Sequence, residues 1–178
     1  MSSVVLSGDT SGSVSLTVPA VAGTNTITLP AATGTVMVSG NMPAFSAYLS
    51  SNQSISSGVY TKVTCNTKEF DTNTNYDATT NYRFTPTVAG YYQVSGCVDT
   101  SGSAATTYQN VVIYKNGSLF KGGNRTTNSG GKVTVSPLIY LNGSTDYLEL
   151  YTYVIGTSVA LSGASTDTYF QASMVRAA

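Results

Sequence analysis

The chain has 178 residues, enough for one domain and a little more, and only 9% are charged, with eight basic and eight acidic side chains cancelling. That balance excludes the clustered positive field that nucleic acid or an anionic membrane surface demands. The absence of histidine removes the usual imidazole base and metal ligand, and no apolar run approaches the roughly 18 residues of a membrane-spanning helix. Ser, Thr, Gly and Asn fill the polar positions instead, and they favour strands and turns over helices. A surface with so little charge repulsion suits a protein buried within an assembly. The N-terminus lacks a basic region followed by an apolar run, so no signal peptide is expected. In the reducing compartment this implies, Cys65 and Cys97 are read as two inert strand thiols, a single disulfide being the alternative.

Residues 1–40 contain no aromatic side chain. They repeat short alternating bursts, Val14 to Val18, Ile27 to Leu29 and Val36 to Val38, separated by Pro19 to Gly23 and Pro30 to Gly34. Proline cannot donate to a ladder and glycine permits a turn, so each burst predicts a strand too short to bury a core alone. This segment is expected to pair with something other than itself. Composition changes at Ser39-Gly40-Asn41-Met42-Pro43, which sets a boundary between an N-terminal attachment segment, 1–40, and a second domain, 41–178.

Beyond the boundary the alternation is sustained and aromatic. Residues 81 to 95 run through an aromatic strand end, Pro86, Gly90 and a second aromatic strand, the pattern of a jelly-roll corner. Tyr92 to Val98 and Tyr108 to Lys115 read as strands, and Asn116-Gly117 is a hairpin signal. Gly122-Gly123 and Gly130-Gly131 flank Asn124 to Asn128, which reads as a loop tip, since no strand-to-helix context supports a phosphate cradle. Asn142-Gly143 marks a second reversal, joining a strand from Lys132 to Leu141 with one from Asp146 to Val154. In the latter, Leu148, Leu150 and Val154 share one face while Tyr147, Tyr151 and Tyr153 share the other. Thr168 to Arg176 closes the pattern with Phe170, Ala172 and Met174 on one side. About eight to ten strands with regular turns predict an all-β sandwich of jelly-roll type.

With Phe70 and Tyr76-Asp77 upstream and Tyr114-Lys115-Asn116-Gly117 downstream, the 81–95 corner resembles the globular head domain of complement-type proteins, a relative of the tumour necrosis factor fold. The resemblance spans about Pro43 to Arg176 and implies a homotrimer that binds other molecules. The wording from Gly12 to Pro30 is similar to the Ser/Thr-Val-Pro-Ala repeats of bacteriophage tail-fibre and virion-surface proteins. It implies a virion component, assembled in the host cytoplasm, that meets capsid or tail proteins through residues 1–40.

The residues offer little for catalysis. Without histidine no Ser-His-Asp or Cys-His arrangement exists, and the carboxylates Glu69, Asp71 and Asp77 cluster only around one loop. Asp71 and Asp77 are calcium candidates through loop oxygens, although Asp, Thr and Asn are also what solvated turns contain. No cofactor is expected. The tyrosine face of Tyr147, Tyr151 and Tyr153 needs a cover that is part apolar and part hydrogen bonding, which makes it the expected trimer interface. Asn124, Arg125 and Asn128 are the expected exposed loop for recognition of a host surface glycan or receptor. The Asn-x-Ser/Thr triplets at Asn52, Asn116, Asn124 and Asn142 matter only in a secreted eukaryotic protein. The expected function is non-enzymatic: a trimeric capsid decoration, or cement, protein. A receptor-binding fibre tip is the first alternative, and a cellular adhesin or lectin-like module the second. The brevity of the segment before the head favours the capsid, and the repeat wording favours the fibre.

Overall fold

The structure is a computed structural model that describes residues 3–28, 31, 36–101, 103–127 and 130–178. The chain divides into two compact units, Met1–Gly34 and Thr35–Ala178.

The first unit contains an antiparallel hairpin, β1 (Ser3–Ser7) with β2 (Ser13–Thr17), in which Val4 opposes Leu16 and Leu6 opposes Val14. The hairpin closes on itself because Gly8 N–H donates to the Gly12 carbonyl at 2.9 Å. The expectation that this segment pairs only with other elements is therefore corrected. Val36 to Val38 carry no strand pairing, nor do Ile27 and Thr28 of the burst Ile27 to Leu29, whose last residue lies outside the described residues. Val4, Leu6, Val14 and Leu16 are 59–64% exposed and share one face, so the hairpin is apolar on one side, which no described residue covers.

The second unit is a sandwich of two antiparallel sheets. Its strands are β3 (Ala44–Tyr48), β4 (Gln53–Ser54), β5 (Tyr60–Lys62), β6 (Thr67–Asp71), β7 (Tyr76–Asp77), β8 (Arg83–Phe84), β9 (Gly90–Asp99), β10 (Ala105–Lys115), β11 (Ser118–Thr127), β12 (Lys132–Val135), β13 (Leu138–Leu141), β14 (Leu148–Thr157), β15 (Ala160–Leu161) and β16 (Tyr169–Ala177). The front sheet runs β12-β9-β16-β3-β6, with β13 also on β9. The back sheet runs β11-β10-β14-β8-β7, with β5 also on β14, and β4 pairs β15 at the side. Residues 36–40 are tied to this unit, because Met37 packs on its core and Asn73 Nδ2 donates to the Gly40 carbonyl at 3.0 Å.

Alternation sends Phe170, Ala172 and Met174 of the front sheet and Leu148, Leu150 and Val154 of the back sheet into one core. At its centre Phe45 stacks on Tyr76 and on Phe84, with centroids 4.6 Å away in each case, and meets Phe170 edge-on at 5.1 Å. The corner at residues 81 to 95 carries the chain from β8 in the back sheet to β9 in the front sheet. A Cβ on Gly90 would strike the Arg176 carbonyl, and the Tyr92 hydroxyl pins the turn by donating to the Val88 carbonyl at 2.7 Å. Asn116-Gly117 makes the expected hairpin, both residues at positive φ (53° and 77°), a geometry that Asn and Gly tolerate.

Three turns or strands differ from expectation. The strand expected from Lys132 to Leu141 is split into β12 and β13 at Ser136-Pro137, where proline has no N–H for the ladder. Asn142-Gly143 does not close a hairpin: β13 lies in the front sheet and β14 in the back, so the turn carries the chain between sheets. Asn142 Oδ1 organises that crossing by accepting the N–H groups of Ser144, Thr145 and Asp146, each at 3.0 Å. The expected loop tip after Gly122-Gly123 is instead the continuation of β11, which pairs with β10 as far as Thr127 opposite Tyr108.

Candidate binding faces

The carboxylates are spent locally. Asp71 accepts the N–H groups of Asn75 (2.9 Å) and Tyr76 (3.1 Å) and pairs with Lys68 (3.2 Å). Asp77 accepts the N–H groups of Thr79, Thr80 and Asn81 at 2.9–3.0 Å, and those of Thr80 and Thr79 foremost hold its carboxyl well below the usual range. Each is a turn cap whose oxygens already face donors, so the pair does not fit the oxygen cage that calcium takes. Among the described residues no three Asp, Glu or Cys side chains converge as metal ligands. Glu69 accepts the Ser46 hydroxyl at 2.7 Å. Cys65 and Cys97 are separate buried thiols, and burial pushes Cys65 up to about 12, which keeps it protonated and unreactive.

The outer face of the back sheet carries a continuous stripe of tyrosines. Tyr153 of β14 lies beside Tyr60 of β5 (5.0 Å) and Tyr108 of β10 (5.9 Å). Tyr60 reaches Tyr114 at 6.2 Å, and Tyr114 stacks on Tyr151 at 3.9 Å with planes 17° apart. Lys62 lies over Tyr151 and pairs with the buried carboxylate of Glu149 at 2.5 Å, while the Arg83 guanidinium covers Tyr147 at 4.4 Å. The expected interface residues Tyr147, Tyr151 and Tyr153 do share a face away from the core, and all three are half-buried. Their cover comes from within the chain, from each other, Tyr60, Tyr114 and two cations. Burial pushes the Tyr114 and Tyr151 phenols up, so their hydroxyls stay protonated at neutral pH.

Cross-strand register sorts the expected recognition residues. Arg125 opposes Asn110, which opposes Tyr153, which opposes Tyr60, placing Arg125 at the edge of the tyrosine face. Asn124 turns the other way and accepts the Thr134 N–H, which links β11 to β12 across the open end of the two sheets. Asn128 lies outside the described residues.

The outer face of the front sheet is of another kind. Its middle is small and polar, with Ser46, Gln93, Ser95, Gln171 and Ser173 and the Glu69 carboxylate held on the Ser46 hydroxyl, and a shallow depression of about 280 Å³ opens beside Phe70. Exposed apolar groups rim it: Phe70, Leu138, Tyr140, Tyr91 and Val175 are 40–59% exposed, and Tyr91 packs on Tyr140 at 5.5 Å. Sequence reasoning missed this face because Leu138-Ile139-Tyr140-Leu141 is apolar at every position. Only the pairing of β13 with β9 shows that Leu138 and Tyr140 face out while Ile139 and Leu141 enter the core.

No protein-family model matches the chain and no curated protein matches its sequence. Solved structures match its fold. Murine APRIL superposes with a TM-score of 0.58 at 11% identity, over 75% of this chain and 99% of that one. The globular domain of a zebrafish complement 1qA protein gives 0.58 at 16% identity, over 76% and 98%. The vertex protein P5 of the phage PRD1 gives 0.54 at 17% identity, over 77% and 98%. At such identities the likeness is one of fold, and the fold is the jelly roll of complement heads and tumour necrosis factor.

Proposed function

We propose that the chain is the protomer of a non-enzymatic homotrimer on a bacteriophage virion, a decoration protein that clamps neighbouring capsid subunits and stabilises the head. The likeness of its jelly roll to a virion vertex protein carries this reading. Copies meet through the front-sheet face, where Phe70, Leu138, Tyr140, Tyr91 and Val175 leave apolar surface that the chain itself does not cover. The tyrosine face is the competing subunit contact, and its internal stacking is why it ranks second. The N-terminal segment, residues 1–40, holds the particle, and the one-sided apolar hairpin of Val4, Leu6, Val14 and Leu16 supplies the surface that a capsid or tail protein would bury.

The similarity of Gly12 to Pro30 to tail-fibre repeats supports a second reading, in which the jelly roll is the receptor-binding tip of a fibre. Labelling the protein on intact particles separates the two. Copies distributed over the head support decoration, copies confined to the tail support the fibre tip, and absence from particles leaves the adhesin or lectin-like module.

A further inference from the structure

We propose that the tyrosine stripe on the outer face of the back sheet is a docking platform for an acidic oligosaccharide, which lies along the rings with its carboxylates toward Arg125 and Arg83. This goes beyond the structural role above and does not depend on it.

The rings Tyr108, Tyr153, Tyr60, Tyr114 and Tyr151 neighbour one another at 3.9–6.2 Å between centroids and gather, from β10, β14 and β5, into one compact aromatic patch. Sugars present apolar C–H faces and hydroxyl edges together, so they fit a half-exposed aromatic surface of ring edges and faces fringed by hydroxyls. The tyrosine hydroxyls bonded to protein among the described residues are those of Tyr76 and Tyr92, both in the core. Those of the stripe are left to a ligand. The Asn110 side-chain oxygen, in the same cross-strand row as Arg125, Tyr153 and Tyr60, is buried and without a donor among the described residues.

Charge selects the class of sugar. Glu149 is neutralised by Lys62; Arg83 lies opposite Asp77 in the β7–β8 pair without forming an ion pair, and Arg125 has no carboxylate partner among the described residues, so Lys62, Arg83 and Arg125 outweigh Glu149 and Asp77. The face is therefore net positive and complements an acidic saccharide. It is also preorganised: the rings are fixed by mutual stacking on paired strands, so little side-chain entropy remains to be lost on binding. Gly122, in the row of Val112 and Tyr151, has open space where a Cβ would stand and leaves the stripe unobstructed on its β11 side.

The test exposes the full-length chain to immobilised hexasaccharides of galacturonate, alginate and hyaluronan. Neutral cellohexaose and maltohexaose and a polyglutamate control run beside them, and binding is also followed by emission, which in a chain without tryptophan reports tyrosine alone. A carboxylated hexasaccharide should bind and perturb that emission. Tyr153→Ala and Tyr60→Ala should each weaken binding about three- to tenfold, Tyr153→Phe less than Tyr153→Ala, and Arg125→Gln should abolish the preference for carboxylated over neutral sugar. Oligomeric mass should not change in any variant. The proposal is overturned if no hexasaccharide binds, if polyglutamate binds as well as the sugars, or if Tyr153→Ala and Tyr153→Phe alter oligomeric mass, which would make the stripe a subunit contact.

Discussion

Replacing Leu138 by aspartate asks which face joins the copies. Leu138 is 55% exposed on β13, while its neighbours Ile139 and Leu141 are buried, so the substitution leaves the core of the single subunit intact. Covering the exposed half of a leucine contributes about 1 kcal/mol, given 1.5–3 kcal/mol for full burial. An aspartate loses that gain and sets an unpaired charge in the contact, at a cost of several kcal/mol more. Summed over three copies, the loss is on the order of 10 kcal/mol, enough to dissociate a trimer at micromolar concentration. Light scattering should give three times the 18.5 kDa chain mass for the unaltered protein and the single chain mass for Leu138→Asp, with near-UV circular dichroism preserved. Tyr151→Asp is the control on the opposite sheet: it breaks the 3.9 Å stack with Tyr114 and should lower the melting temperature without dissociating the trimer. A trimeric Leu138→Asp beside a monomeric Tyr151→Asp would refute the assignment and move the contact to the tyrosine face.

Three further outcomes follow from the packing and the turns. Phe45→Ala removes the ring shared by Tyr76, Phe84 and Phe170 and should cost about 3–5 kcal/mol in chemical denaturation; a loss under 1 kcal/mol would deny Phe45 its central place. The folded Asp77 carboxyl titrates below its ordinary value of 3.8, so the stability it adds is present above that pH and is lost as pH falls toward the folded value. Asp77→Asn should therefore show a shallower acid limb in unfolding curves, and an identical limb would mean the cap contributes nothing. Removing Met1–Gly34 should leave a folded jelly roll with the same oligomeric mass that no longer joins the particle, because that unit is a separate compact unit with no aromatic side chain of its own. Loss of soluble protein on truncation would instead mean that its strands are woven between subunits.

What could be read in the sequence was local. Asn116-Gly117 and the corner around Pro86 and Gly90 are set by backbone conformations few residues tolerate, and the inward faces of β14 and β16 by strict alternation. Pairing was not local. The shift of the chain between sheets at Asn142-Gly143, the extension of β11 through Arg125 and the exposure of Leu138 and Tyr140 all depend on which strand lies alongside. The same limit applies to the binding faces. Tyr151 and Tyr153 were visible as a pair on one side of a strand, but Tyr60, Tyr108 and Tyr114, which turn that pair into a stripe, arrive from β5 and β10.

Whether the protein acts mechanically on the capsid is decided by the heat stability of particles that lack it. A protein that binds only the assembled shell stabilises it by about 2.7 kcal/mol when the free protein stands at a hundred times its dissociation constant. Particles without it should assemble normally and release their genome at a lower temperature, and adding back the purified trimer should restore the original rupture temperature. Rupture at the same temperature with and without the protein would contradict a capsid-clamping role, and lost adsorption in those particles would place the protein at the tip of a fibre.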